Sequence, residues 1–186
     1  MRANRWATDL DSITESFRKD FGKLTPDELN WKPNSQTWSV AQIIHHLIVV
    51  NESYYPILNQ IRNNNYYTPR YGQIGFINQF FGRLVLNAVK PTQKRKTKTF
   101  PIWEPDLSTV RGDIVSHFVR HQHELKQTIE ESDGLIEKGV VISSPANRMI
   151  VYTLETAFDI MVAHERRHLQ QAHLINQMRL TKFTPA

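Results

Sequence analysis

The chain has 186 residues, 40% hydrophobic and 22% charged, with a formal net charge of +5 at pH 7, which is the composition of an ordinary soluble domain with a sizeable core. It contains no cysteine, which excludes disulfides, cysteine zinc sites and thiol nucleophiles. It also lacks an apolar run long enough to cross a membrane and an N-terminal apolar segment typical of a signal peptide, so we expect one cytoplasmic domain spanning residues 1–186.

Helical periodicity runs through the first half of the chain. A first helix is predicted over about 4–23, and a connector containing two prolines follows over 24–38. Ser39 stands just ahead of an apolar run and is placed to cap a second long helix. Three asparagines at 63–65 end that helix, and a shorter helix is predicted over about 75–89.

The second half of the chain is also mainly helical. An aromatic, turn-rich stretch at 100–105 leads into a third long helix over about 107–132. Residues 140–143 are predicted to be a short strand or extended chain, and the last helix is predicted over about 152–180. Four long amphipathic helices in one chain indicate an all-α four-helix bundle, with a short extra helix and a long connector.

Between the short helix and the third long helix lies a basic run, whose charged residues are Lys90, Lys94, Arg95, Lys96 and Lys98. Such a run can contact phosphates. However, it lies between helical segments, has a proline near its start and lacks interleaved aromatic residues. We therefore interpret it as a solvated loop, and nucleic-acid binding is not the expected function.

Two histidines distinguish the last helix. Counting from Leu154, apolar residues recur on one face of this helix, and His164 and His168 fall on that face. Arg166 and Arg167 fall on the opposite face. The two imidazoles are therefore expected to point inward, where an unpaired polar ring would be costly. A shared metal ion would give both rings a partner.

A catalytic zinc-type site usually has three protein ligands, so a facing helix should supply the third. At about 100° per residue, His46 lies at the edge of the second helix's apolar stripe, whereas His45 points away from it. His121 lies on the inward face of the third helix. Helical geometry therefore favours His46 as the third ligand, with His121 as the second choice. His117 and His121 form another pair four residues apart, which is a weaker metal candidate.

Sequence segments at both ends of the chain resemble a known family. The segments are Leu-Asn-Trp-Lys-Pro at 29–33, Trp-Ser-Val-Ala-Gln-Ile-Ile-His-His-Leu at 38–47, and the late pattern His164-x-x-x-His168-x-x-Gln171. Together they resemble the opening and closing halves of the DinB-like (damage-inducible) family. Known members of that family include thiol-dependent S-transferases, and many others are presumed hydrolases.

The resemblance covers about residues 4–180 and implies a four-helix bundle that holds a metal ion with three histidines. On this sequence they are His46, which stands just before a leucine, and the late pair at 164 and 168. This agrees with the geometric ranking. The resemblance also places Trp38 near the site, although core packing at the helix start is an alternative. Because family members are often dimers, a homodimer is expected.

The sequence His164-Glu165-x-x-His168 also matches the short zinc-protease pattern, in which the glutamate is a general base. The extended protease pattern needs a glycine where this chain has Gln171 and a histidine where it has Leu174. No convincing strand is predicted that could bind a peptide edge-on. We therefore do not expect a protease.

Two polar residues on the last helix are candidates for a supporting role. Glu165 is expected to project inward, where it could orient or deprotonate a metal-bound water or thiol. Equally, it could hydrogen-bond a neighbouring polar side chain or pair with an arginine on another helix. Gln171, one turn beyond the second histidine, could contact the pocket or support an imidazole. His121 is the further residue expected to line the pocket.

By resemblance, we expect a divalent zinc or nickel ion that makes a nucleophile available near neutral pH by lowering the pKa of a thiol cofactor or of water. The first interpretation is transfer of a low-molecular-weight thiol to a small electrophile. The second is metal-dependent hydrolysis of a small molecule. A hypothesis from a different class is a bundle that binds a metal or ligand without catalysis.

Overall fold

The computed structural model of the protein describes residues 4–92, 99–105 and 110–183. In chain order the helices are α1 (Asn4–Phe21), α2 (Pro26–Asn30), α3 (Val40–Glu52), α4 (Tyr55–Arg62), α5 (Gly75–Val89), α6 (Ile114–Glu130), α7 (Asp133–Glu137) and α8 (Leu154–Phe183). The strands are β1 (Val141–Ser144) and β2 (Asn147–Thr153), and 3-10 turns cover Arg70–Gln73 and Pro101–Trp103.

The four long helices α1, α3, α6 and α8 pack around one apolar core, which confirms the predicted four-helix bundle. Each of α1 and α3 contacts both α6 and α8. Aromatic side chains fill much of this core, and Phe17 of α1, Phe118 of α6 and Phe158 of α8 are fully buried. Burial of each such side chain contributes about 1.5–3 kcal/mol, so packing rather than helix propensity holds the bundle together.

The second long helix begins where the sequence predicts but ends earlier. The Ser39 side chain accepts a hydrogen bond from the Gln42 amide, while the Gln42 side chain accepts one from the Ser39 amide, which completes a capping box. The expectation of one continuous helix to the asparagines is wrong, because α3 ends at Glu52 and α4 starts at Tyr55. Pro56 lies in the first turn of α4, and its ring would clash with the carbonyl of residue 52 in an unbroken helix.

The last helix is preceded by a hairpin, whose first strand lies where the sequence predicts a short strand or extended chain. β1 and β2 pair antiparallel, with Ile142 opposite Tyr152, so Tyr152 belongs to a strand and not to the helix as expected. The Thr153 hydroxyl accepts a hydrogen bond from the Thr156 amide and so caps α8. Helix α5, present over the predicted residues, packs against β2 and α8.

The third long helix starts later than expected. Val110 precedes it, and the Asn30 side chain holds this residue through hydrogen bonds to both its amide and its carbonyl, each 2.9 Å long. This contact holds Val110 in the non-helical segment that precedes α6, and α6 begins at Ile114. Residues 93–98, which carry most of the basic run, and residues 106–109 lie outside the described part of the chain. None of the helices in the described ranges is long and apolar enough to span a membrane.

Candidate metal centre

Three histidines from two helices meet inside the bundle. The Nε2 atom of His164 lies 3.3 Å from Nε2 of His46 and 2.9 Å from Nε2 of His168. Across the described residues, these three side chains form a group whose ligating atoms all lie within 4.8 Å of one another. Bonds of about 2.1 Å in a tetrahedral site place ligand nitrogens about 3.4 Å apart, so the spacing suits one small metal ion.

The local sequence explains why these rings converge. The capping box at Ser39 sets the start of α3, and His46 follows two turns later on the buried face, with 2% of its surface exposed. On α8 the spacing of four residues puts His164 and His168 one above the other. His45 lies on a less buried face of α3 and does not belong to the histidine group.

A backbone carbonyl orients the His46 ring. Nδ1 of His46 lies 2.7 Å from the carbonyl oxygen of Trp103, which can only accept a hydrogen bond. The proton is therefore assigned to Nδ1, which leaves the Nε2 lone pair directed toward the other two rings. The sequence indicated a turn at 100–105 but not this contact, because a backbone carbonyl has no side-chain signature.

The three rings are held in the neutral form that metal binding requires. Burial lowers the pKa of His46 to about 4 and the pKa of His168 to about 3. Burial, followed by the neighbouring His168 and His46 rings, holds the pKa of His164 well below its ordinary value.

These rings also fit a metal by their chemistry. Because His46 carries its proton on Nδ1, at most one of the two short Nε2 contacts of His164 can be a hydrogen bond, whereas a shared metal ion would accept the Nε2 lone pairs of all three rings. Neutral imidazoles are suitable ligands for both zinc and nickel.

Trp38 and Gln171 border the histidine group. The Trp38 ring lies 4.9 Å from the His46 ring and 6.1 Å from the His168 ring, and it is nearly parallel to the latter, with 17° between the planes. Gln171 lies close to His168 and weakly opposes the effect of burial on the pKa of that ring. Both residues therefore lie beside the histidine group, and Trp38 also packs against the core.

Glu165 and His121 lie in a separate polar cluster. The fully buried Glu165 accepts hydrogen bonds of 2.7 Å from Nδ2 of Asn51, on α3, and of 2.7 Å from Nε2 of Gln122, on α6. Nδ2 of Asn51 also lies 3.3 Å from Nε2 of His121. Burial raises the pKa of Glu165 to about 7, against the opposing effect of its two hydrogen bonds. We name Asn51, His121, Gln122 and Glu165 the amide cluster.

Asn51 and Gln122 are not among the residues that the sequence predicts at the site. The observed bonds of Glu165 correspond to the alternative in which it binds neighbouring polar side chains. His121, the second nominee for the third ligand, is turned toward Asn51 and is not part of the histidine group. An Asn and a Gln on apolar helix faces are the sequence feature that could have indicated this cluster, because buried amides need hydrogen-bond partners.

The fold and the three histidines define a helical bundle with a candidate metal centre, and comparison with known proteins identifies its family. The model of the DinB superfamily matches residues 9–172, so the chain belongs to this superfamily. The structure is similar to that of YfiT from Bacillus subtilis, which is reported as a probable metal-dependent hydrolase with an unusual four-helix bundle topology. The TM-score is 0.58, the identity is 16%, and the alignment covers 95% of this chain and 87% of YfiT. At that identity the likeness shows a shared fold. No curated protein matches the chain.

Proposed function

We propose that this protein is a metal-dependent enzyme acting on small molecules, with His46, His164 and His168 as ligands of one divalent zinc or nickel ion. The observation that carries this proposal is the convergence of three inward imidazoles within 4.8 Å. Three protein ligands are typical of catalytic zinc sites, which keep a position for water or substrate. When bound, such an ion lowers the pKa of a thiol or water enough to provide a nucleophile near pH 7.

In this proposal, three residues around the histidine group orient a ligand, exclude water or bind substrate. The Trp103 carbonyl orients the His46 ring through Nδ1. Trp38 covers the His46 and His168 rings on one side and keeps water away from that side. Gln171, beside His168, is available to bind a polar group of the substrate.

Two reactions fit this chemistry. Transfer of a low-molecular-weight thiol to a small electrophile is supported by the resemblance to thiol-dependent transferases. Hydrolysis is supported by the similarity to YfiT, which is itself reported as a probable metal-dependent hydrolase. The alternative is a bundle that binds a metal or ligand without turnover. The burial of His46 and His168 favours this alternative, because it restricts the access of a substrate to the ion. We further propose a cytoplasmic homodimer, and light scattering on the purified protein tests the oligomeric state.

One experiment separates these functions. The metal content of the purified protein is measured, and activity is then compared between metal-loaded and metal-stripped samples. Thiols are tested with bimane and haloaromatic electrophiles, and esters and amides are tested in parallel without thiol. Turnover that needs both thiol and metal supports the transferase, and turnover that needs metal alone supports the hydrolase. Bound metal without turnover in either panel favours the binding protein.

A further inference from the structure

We propose that Glu165 is a positioning residue for the metal centre, because its carboxylate joins α8 to α3 and α6 and so fixes how His46 faces the two histidines of α8. This inference rests on the proposed metal centre. It concerns the amide cluster, whose members are not among the three candidate ligands.

Both oxygens of Glu165 are used for contacts between helices. Oε1 accepts a hydrogen bond from the Asn51 side chain of α3, and Oε2 accepts one from the Gln122 side chain of α6, each 2.7 Å long. Glu165 and Asn51 have no exposed surface, and 3% of Gln122 is exposed. Hydrogen bonds tolerate only a narrow range of lengths, so these contacts hold the three helices at a set separation.

The cluster and the histidine group lie on the same helical segments. Glu165 directly follows His164 on α8, and Asn51 follows His46 by five residues on α3, which is about 7.5 Å along the helix axis. A shift of α8 against α3 therefore displaces the Glu165–Asn51 bond and the His164–His46 pair together. Metal ligands must be held within about 0.5 Å of their productive positions, so a rigid link this close to the ligands matters for binding.

Stability alone does not account for this cluster. A buried carboxylate and two buried amides carry a desolvation cost, and apolar side chains of similar volume often replace such groups without loss of stability. The cost is increased because Oδ1 of Asn51 and Oε1 of Gln122 lack hydrogen-bond partners in the described part of the chain. What the polar cluster adds over an apolar core is directional contact, which defines the relative positions of α3, α6 and α8.

This role differs from that of a general base. The hydrogen bonds of Glu165 go to amides on two other helices and not to a ring of the histidine group. A general base needs its charge, whereas a positioning residue needs its shape and its hydrogen bonds. Glu165→Gln separates the two roles, because Gln122 can rotate its amide and present its unpaired Oε1 to the new side chain.

The test uses four variants of the full chain: Glu165→Gln, Glu165→Leu, Gln122→Leu and the control Tyr152→Phe. The control removes a buried hydrogen bond of 2.8 Å between the hydroxyls of Tyr54 and Tyr152, which does not touch the amide cluster. Affinity for Zn²⁺ is measured by competition with a chelator, and the visible spectrum of the Co²⁺-loaded protein reports the coordination geometry. Thermal unfolding of each metal-free variant measures the loss of stability.

We expect Glu165→Leu and Gln122→Leu to weaken Zn²⁺ binding about 10–100-fold and to change the Co²⁺ spectrum. Glu165→Gln should keep the affinity and spectrum close to wild type, and Tyr152→Phe should lower the unfolding temperature without changing either. If Glu165→Leu does not fold, the Zn²⁺ affinity and the Co²⁺ spectrum of Gln122→Leu alone test the inference. The inference is overturned if the Leu variants bind Zn²⁺ like wild type, or if Glu165→Gln loses affinity as strongly as Glu165→Leu. A wild-type protein that binds no Zn²⁺ or Ni²⁺ would instead refute the proposed metal centre.

Discussion

Nε2 of His46 on α3 lies 3.3 Å from Nε2 of His164 on α8, although the two residues are 118 positions apart in the sequence. Packing of α3 against α8 creates this contact, and the histidine pair on α8 alone would offer an ion two ligands. The identity of the third ligand is therefore the most direct point at which the proposed centre can be tested.

His46→Ala should remove most of the bound metal, because two imidazoles hold a divalent ion poorly. His45→Ala is the matched control, since it removes the adjacent imidazole on the same helix and should leave the metal content near normal. Elemental analysis of the purified variants measures both. Loss of metal in His45→Ala with retention in His46→Ala would transfer the ligand role to His45.

Trp38 should report on metal binding through its fluorescence. Its ring lies 4.9 Å from the His46 ring, and a nickel ion quenches an indole at such short range. We expect Ni²⁺ to quench the emission of the wild-type protein and Trp38→Phe to reduce the quenched fraction. Trp31→Phe is the control, because Trp31 packs beside Lys182 and not against the histidine group. Because the Trp103 carbonyl also contacts His46, equal quenching in wild type and in the double variant Trp38→Phe, Trp103→Phe would place the ion elsewhere.

The sequence predicts the grouping of the three histidines because its determinants are local. Residues four apart lie on one face of a helix, which places His164 and His168 together. Ser39 marks the start of α3, and His46 lies on the buried face of that helix. The partners of Glu165 were not readable, since they lie on α3 and α6 and depend on how the helices pack.

The irregular parts of the fold were harder to predict for a related reason. The sequence predicts Tyr152 in the last helix, but an apolar residue next to a helical pattern suits a strand as well as a helix. Tyr152 lies in a strand because it pairs with Ile142, and that pairing depends on the position of the hairpin turn.

His121 should make the metal-free protein acid-sensitive. Burial, followed by the neighbouring His117, lowers the pKa of His121 to about 4, from 6.5 in the unfolded chain. Between these values the unfolded chain binds more protons, so the free energy of unfolding falls as the pH drops from about 6.5 to 4. His121→Gln, which can still accept the Asn51 hydrogen bond, should reduce this fall by at most about 3 kcal/mol.

Urea denaturation of metal-free wild type and His121→Gln at pH 7.5, 5.5 and 4.5 tests this expectation. His46 and His168 titrate in the same direction in both proteins, so the difference between the two curves isolates His121. Parallel pH dependence would show that His121 is not buried as a neutral ring.

The protein should have no peptidase activity, although His164-Glu165-x-x-His168 matches the short zinc-protease pattern. Both oxygens of Glu165 accept bonds from amides of other helices, and the chain lacks the extended protease pattern. Casein and a generic fluorogenic peptide should stay intact with the Zn²⁺-loaded protein. Metal-dependent cleavage that disappears in Glu165→Gln would contradict this prediction and make Glu165 a catalytic residue.

Metal binding should also stabilise the fold, because the proposed ligands are assembled only in the native bundle. A ligand that binds the folded state alone raises the free energy of unfolding by RT ln(1 + [L]/Kd), or about 2.7 kcal/mol at one hundred times Kd. The unfolding temperature of wild type and of His45→Ala should therefore rise with Zn²⁺ concentration, since both keep the three proposed ligands. His46→Ala should lose most of the rise, because the link between α3 and α8 through the ion is gone. Differential scanning fluorimetry across a Zn²⁺ titration measures the effect, and an equal rise in His46→Ala would mean that the stabilising ion binds at a site that does not include His46.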